Sequence, residues 1–200
     1  VLIGESDNRL NWGLLGYERD TTQPLRETFE KLPGQITLFA KARSQQAFTL
    51  PSLKLALTPA STTQPDLWNS TPDFTFLAKA AGFHVRWLSN QPSHEGWFSA
   101  IAQGADERMF INKGNWRDSS ATDNDLINPL RQTLGQATHA HELIVVHLMG
   151  QHFHYAQRCP ESEKPFLNTD NDRVMQAMKA AGRSSSIRQS RNEYDNAVHC

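Results

Sequence analysis

Apolar positions along this chain follow two periods in turn. Val1–Ile3 is a short apolar run that predicts a buried strand leading into Gly4-Glu5-Ser6. Pro24–Leu32 has helical spacing, and Pro33-Gly34 stops it. Gln35–Ala42 alternates polar and apolar residues, the pattern of a half-buried strand. Pro51–Leu57 predicts a short apolar helix, followed by a Thr-, Ser- and Pro-rich loop over 58–69. Thr71-Pro72-Asp73 opens the clearest helix, with Thr71 as cap and Pro72 in the first turn. Its Phe74, Leu77, Ala78 and Ala81 share one face, and Gly82 ends it. Phe83–Leu88 predicts a strand and Asp125–Leu134 a helix. Glu142–Leu148 is apolar at every position from Leu143 to Val146, as in a strand covered on both faces. Asp170–Ala181 and Ile187–His199 predict two polar-faced helices.

This alternation implies an α/β fold with a mostly parallel sheet and helices on both faces. No repeat, low-complexity tract or interdomain linker interrupts it, so residues 1–200 read as a single partial domain. Ligands of such sheets sit off the carboxyl ends of the strands. Three polar segments hold that position: Gly4-Glu5-Ser6, Ser89-Asn90-Gln91 and His147 to His154. Lys and Arg number 20 against 21 Asp and Glu, which excludes a strongly basic nucleic-acid binder. Five Trp and ten Phe among 38% hydrophobic residues supply a core. No apolar stretch is long enough to span a bilayer and no signal peptide is visible. The abrupt apolar start and the end at Cys200, inside helical patterning, read as an excised piece of a longer protein. Cys159 and Cys200 exclude a four-Cys zinc module; a disulfide and two free thiols both remain open.

Several of these residues can carry chemistry. Glu5 at the mouth of the sheet suits a Zn, Mn or Mg ion, or else a cap or a salt bridge to Arg9. His147, His152 and His154 have loop spacing and can converge on a metal or an anion. The alternative makes His147 a core histidine and leaves His154 exposed. His139 and His141 precede their strand and belong to the opposite edge. Residues 42–51 run from a strand into a helix, where an attacking hydroxyl or a phosphate would find free amides. By spacing alone, Thr49 before Pro51 reads as an ordinary cap.

The combination resembles the catalytic domain of bacterial phosphoethanolamine transferases. Gly4-Glu5-Ser6 followed by Leu15-Gly16-Tyr17-Glu18-Arg19-Asp20-Thr21-Thr22-Gln23-Pro24-Leu25 is similar to that family's opening. Ala81-Gly82-Phe83 through Ser89-Asn90-Gln91 resembles its second motif, and Val146-His147-Leu148-Met149-Gly150-Gln151-His152 with Tyr155 and Arg158-Cys159-Pro160 its third. Asn192-Glu193-Tyr194-Asp195-Asn196-Ala197 resembles a further helix. The resemblance implies an alkaline-phosphatase-like, sulfatase-like fold, zinc as cofactor and a periplasmic domain anchored in the inner membrane by a transmembrane part outside these residues. It also implies phosphatidylethanolamine as donor, a lipopolysaccharide or periplasmic glycan as acceptor, and a phospho-threonine intermediate. Carried over by position, Glu5 is a zinc ligand, Asn90 holds the ethanolamine, and His152, with His147 nearby, contacts the phosphate or a second zinc. This reading requires Glu5 and His152 to meet at one rim of the sheet.

Two departures qualify the resemblance. Aligning Phe48-Thr49-Leu50-Pro51 with the family's Tyr-Ser-Val-Pro puts Gln46 where the nucleophile belongs, and an amide cannot attack. Ser44 and Thr49, two and three residues away, are then the candidate nucleophiles. The family's Asp-His-Gly-Glu motif is absent from the 200 residues, so Glu5 is the lone matched metal ligand and no tightly bound zinc is expected on this piece alone. The expectation is a phosphoethanolamine transferase as a full-length protein, with this piece inactive and an open sheet edge favouring self-association. The alternatives are a sulfatase or phosphodiesterase using water, and a catalytically dead module that binds head groups.

Overall fold

The computed structural model describes residues 1–93, 96–119, 121–136, 138–169 and 171–200, and at 96–98 only the backbone. In chain order the strands and helices are β1 (Leu2–Ile3), α1 (Gln23–Lys31), α2 (Thr49–Leu57), α3 (Phe74–Ala80), β2 (His84–Ser89), α4 (Gly96–Ile101), β3 (Glu107–Phe110), α5 (Ile127–Gly135), β4 (Glu142–His147), α6 (Arg173–Ala180) and α7 (Ser185–His199). They group into two compact units, each built from two stretches of chain. The first takes Val1–Glu5 and Arg43–Met149, the second Ser6–Ala42 and Gly150–Cys200.

The first unit is a four-stranded sheet in the order β1-β4-β2-β3, and every pair is parallel. Alternate residues of the strands serve two apolar layers, as a sheet covered on both faces requires. Val85, Trp87 and Val145 face Leu53 of α2 and Ile101 of α4, with Phe74 and Ala78 of α3 packed alongside. Leu88 and Val146 face the other way, against Leu126 and the α5 residue Leu130. The predicted α/β architecture, with helices on both faces of a parallel sheet, is therefore the one observed.

Local chemistry explains most boundaries. Helix α3 starts at Phe74 because the Asp73 carboxylate accepts from the amides of Thr75 and Phe76, at 2.8 and 3.3 Å. Thr71, expected as the cap, instead donates to the Leu67 carbonyl and closes the preceding turn. Gly82 ends the helix at φ +87°, a conformation that costs glycine nothing. Two elements escaped the sequence pattern: α4, and β3, whose Glu107-Arg108-Met109-Phe110 is a short edge strand without an apolar run.

The second unit is built around α1, α6, α7 and short 3-10 turns. Its centre is polar. Arg19, almost fully buried, donates to Asp195 at 2.8 Å and to Asn192 at 2.8 Å, and pairs with Asp172 at 2.8 Å. The Tyr17 hydroxyl donates to the second-row target of the same network, Asp195 Oδ2, at 2.7 Å. Burial pushes the Asp195 carboxyl up, opposed by the hydrogen bonds from Tyr17 and Arg19. Asn196 bonds the Phe166 backbone through both amide groups at 2.9 Å, and Cys159 and Cys200 form a disulfide. The segment 35–42, expected as a strand, is exposed irregular chain with Phe39 77% accessible. Its alternation is real, but it belongs to the unit without the sheet, and a strand needs a partner edge. The helix expected over Asp170–Ala181 is α6, capped by Asp172 to Met175 N at 2.9 Å; position 170 lies outside the described residues. The helix expected from Ile187 begins two residues earlier, at Ser185 behind the cap Ser184.

Two stability predictions follow from these cores. Arg19→Ala leaves the Asp195 carboxylate buried without its closest cation, so urea unfolding followed by circular dichroism should show a loss of about 3–5 kcal/mol. An effect under about 1 kcal/mol would mean that the network contributes little net stability. His147 is 1% exposed, and burial lowers its pKa to about 4 from 6.5. Above pH 6.5 the folded and unfolded chains are both neutral there, so its contribution is constant. As pH falls from 6.5 towards 4 the unfolded chain takes a proton that the fold refuses, and stability drops by up to about 3 kcal/mol. In a His147→Asn variant the fall in Tm between pH 7 and 5 should be smaller than in the parent; equal slopes would refute the assignment.

Candidate active site

Parallel pairing carries the strand ends to one rim. The row Ile3–His147–Ser89–Phe110 is in register across the sheet. One residue further on, the ladder continues through Leu148 N to Ile3 O, Asn90 N to His147 O and Ile111 N to Ser89 O, each at 2.9 Å. Two residues beyond the row, on successive strands, come Glu5, Met149, Gln91 and Asn112. Glu5, Asn90, Gln91 and His147 thus emerge at the carboxyl edge of one sheet, together with Asn112 after the fourth strand, while Ser6 and residues 150–154 belong to the second unit.

Glu5 is 8% exposed, and its Oε1 accepts a hydrogen bond from Thr49 Oγ1 at 2.8 Å. Thr49 is the first residue of α2, and its predecessor Phe48, in extended conformation, offers no side-chain cap. The expected capping role is therefore not the one adopted, because the hydroxyl is committed to Glu5. The helix begins two residues before Pro51, so the proline sits inside the first turn, where its missing N–H removes no helical bond. The free amides and dipole of this helix end favour an anion beside the hydroxyl.

Ser44 is exposed and turned into its own loop. Its Oγ lies 2.7 Å from the Gln46 carbonyl and 2.8 Å from Ser52 Oγ. Asn90 and Gln91 are fully buried. Asn90 Nδ2 donates to Asp123 Oδ1 at 2.9 Å, and the same oxygen accepts from Met149 N at 2.8 Å. Gln91 Nε2 donates to the Leu148 carbonyl at 2.6 Å. The side-chain carbonyls of Asn90 and Gln91 have no hydrogen-bond partner among the described residues. His147 stands edge-on to Trp87, with ring centroids 5.8 Å apart, and is neutral at physiological pH.

The first unit therefore brings Glu5 to Thr49, and Asn90 to the His147 backbone. His152 belongs to the second unit, half-buried, with its carbonyl accepting from Arg158 Nε at 3.2 Å. Asp123 is a site residue that the pattern missed. The sequence offers only the Thr122/Asp125 capping box beside it, which predicts a helix start and not a link between two strand ends. For a metal, Glu5 and Thr49 offer two oxygen donors within 2.8 Å of each other. A zinc site takes three or four ligands, and among the described residues no three His, Cys, Asp or Glu converge. The residues present fit two positions of a larger ligand set.

Comparison with known proteins adds an independent line. The chain is 29% identical over 201 residues to phosphoethanolamine transferase EptC of Escherichia coli K12, covering 98% of this chain and 33% of EptC. It is 29% identical over 200 residues to phosphoethanolamine transferase CptA of Salmonella typhimurium, again 98% of this chain and 33% of the relative. The crystal structure of the C-terminal periplasmic domain of E. coli EptC in complex with Zn matches with a TM-score of 0.89 at 28% identity, over 99% of this chain and 54% of that one. The chain thus spans about a third of these curated relatives and about half of the solved domain. The Sulfatase family matches residues 1–200, every position of the sequence. With the parallel sheet and a carboxylate–hydroxyl pair at its rim, the chain belongs to the sulfatase family.

Proposed function

We propose that the full-length protein transfers phosphoethanolamine from phosphatidylethanolamine to a lipopolysaccharide or periplasmic glycan, with Thr49 as nucleophile. The proposal places it in the inner membrane with this domain on the periplasmic face; among the described residues no helix is long and apolar enough to cross a membrane. Likeness to EptC and CptA supports the reaction class. The observation that carries the nucleophile is the 2.8 Å hydrogen bond from Thr49 Oγ1 to Glu5 at the start of α2.

Thr49 Oγ1 attacks the donor phosphorus while the phosphate lies at the helix end, where amides and dipole stabilise its charge. The hydroxyl proton leaves along the existing hydrogen bond towards Glu5. The bond from phosphorus to the glycerol oxygen breaks, and diacylglycerol departs with a proton, leaving a phosphoethanolamine ester on Thr49. An acceptor hydroxyl then displaces Thr49 Oγ1, which takes a proton back. A zinc ion held in part by Glu5 and Thr49 would supply a lowered hydroxyl pKa and charge neutralisation. The open carbonyls of Asn90 and Gln91 suit an ammonium group, which has three N–H donors to satisfy. His147, buried and neutral, is a positioning residue beneath them. A phosphate contact by His152 rests on the resemblance alone.

The Sulfatase match keeps a hydrolase in view as the second reading. Release of free phosphoethanolamine at the same rate with and without acceptor would select it. Under the transferase reading, Thr49→Ala in the full-length protein lowers transfer of labelled ethanolamine phosphate by about a thousandfold or more, as removal of a nucleophile does. Ser44→Ala, removing exposed contacts to the Gln46 carbonyl and to Ser52 Oγ, leaves the rate within about threefold. The opposite ranking would move the nucleophile to Ser44.

A further inference from the structure

We propose that Asp123 is a positioning residue that makes the rim selective for a primary ammonium head group, by fixing the Asn90 side chain with its carbonyl left free to accept. The choice of ligand rests on the transferase reading. The geometry does not involve Thr49, and all the residues concerned lie in the first unit.

Asn90 and Gln91 directly follow β2, and their backbone is pinned. Asn90 N donates to the His147 carbonyl at 2.9 Å, and Gln91 N donates to Ser89 Oγ at 3.0 Å. Both side chains are fully buried and held through their amide nitrogens. Asn90 Nδ2 donates to Asp123 Oδ1 at 2.9 Å and to the Ala121 carbonyl at 3.4 Å. Gln91 Nε2 donates to the Leu148 carbonyl at 2.6 Å. Each of these partners is an accepting oxygen. Turning either amide over would set oxygen against oxygen, so the partners decide which way the amides point. The donors are used up, and Asn90 Oδ1 and Gln91 Oε1 stay buried without a hydrogen bond among the described residues.

A buried acceptor costs free energy until a donor reaches it. Two adjacent ones select a group with several donors and no acceptor. A primary ammonium has three N–H donors and meets that demand. A trimethylammonium carries the same charge but no N–H, and leaves both oxygens unsatisfied.

Among the acceptors that hold the two amides, Asp123 contributes a carboxylate. Its Oδ1 also accepts from Met149 N at 2.8 Å, so one atom ties the chain after β2 to the chain after β4. Asp123 opens the 3-10 turn Asp123–Leu126, whose capping box bonds Thr122 N to Asp125 Oδ2 at 2.7 Å. A bond to a carboxylate is stronger than one to a neutral carbonyl, and it polarises the amide so that Asn90 Oδ1 accepts more strongly. The Ala121 contact at 3.4 Å is too long to hold the amide unaided. Asp123 thus acts on the ligand through Asn90.

The test reads binding. Full-length protein in detergent carries Thr49→Ala to stop turnover, and isothermal titration compares O-phosphoethanolamine, phosphocholine and inorganic phosphate. O-phosphoethanolamine should bind about tenfold or more tightly than either of the others. Asp123→Ala frees the Asn90 amide to turn and should cut the preference over phosphocholine to about threefold or less. Asp123→Asn keeps a carbonyl oxygen for Asn90 Nδ2 but removes the charge, so both cationic ligands should weaken together and the preference should persist. Once Asn90→Ala has lowered the preference, adding Asp123→Ala should lower it no further. Circular dichroism checks folding; if Asp123→Ala does not fold, Asp123→Ser, one atom shorter than the native side chain, takes its place. An unchanged preference in the folded variant would overturn the proposal, as would a further fall in the Asn90→Ala background. Equal affinity for phosphocholine or for inorganic phosphate before any change at Asp123 would overturn it too. Failure of the transferase reading shows separately, as absence of transfer by the unmutated protein, because head-group preference is read without turnover.

Discussion

Strand direction is the constraint on which the candidate site depends. Strand β1 is two residues long, held to β4 by the bonds from Val146 N to Val1 O and from Leu148 N to Ile3 O. Those bonds make β1 parallel to β4, and β4 is parallel to β2. The carboxyl ends of the strands therefore share one edge, and Glu5 appears there with Asn90 and Gln91 after β2 and with His147 at the end of β4. Were β1 antiparallel, the same Glu5 would face the amino edge, among His84, Asp106 and Glu107. A site built this way needs no long polar motif, because each strand contributes the one or two residues after its last ladder bond.

The two units solve the problem of a core differently. The first stacks apolar side chains on both faces of its sheet, which explains why its inner strands β2 and β4 are legible as apolar runs, while the edge strand β3 is not. The second is short of apolar layers and organises itself around Arg19, Asp195, Asn192 and Asn196, whose polar atoms are satisfied by one another and by backbone. A buried guanidinium beside two carboxylates is costly to desolvate, and the geometry offsets that cost by filling its donors at about 2.8–3.0 Å. Such a network tolerates few alternative arrangements.

The Glu5–Thr49 pair shows how a local signal and a tertiary one compete. Thr49 before Leu50-Pro51 reads as a cap, since a hydroxyl near a helix start has an amide in reach. In the fold the hydroxyl finds a carboxylate from a residue 44 positions away, and the charged acceptor wins over a neutral capping geometry. The segment 35–42 makes the converse point. Its alternation predicts a strand, yet among the described residues no strand lies within its unit, and alternation without a partner leaves exposed chain.

The apolar runs of β2 and β4, the glycine and aspartate stops around α3, and the family motifs that carry Glu5, Asn90 and His147 were all present in the linear sequence, because each depends on neighbours a few residues apart. The pairing of Glu5 with Thr49, the link from Asp123 to Asn90 and Met149, and the closure of Cys159 on Cys200 were not. Those join residues tens or hundreds of positions apart, and only the direction of strand pairing and the packing of helices bring them within a hydrogen bond of one another.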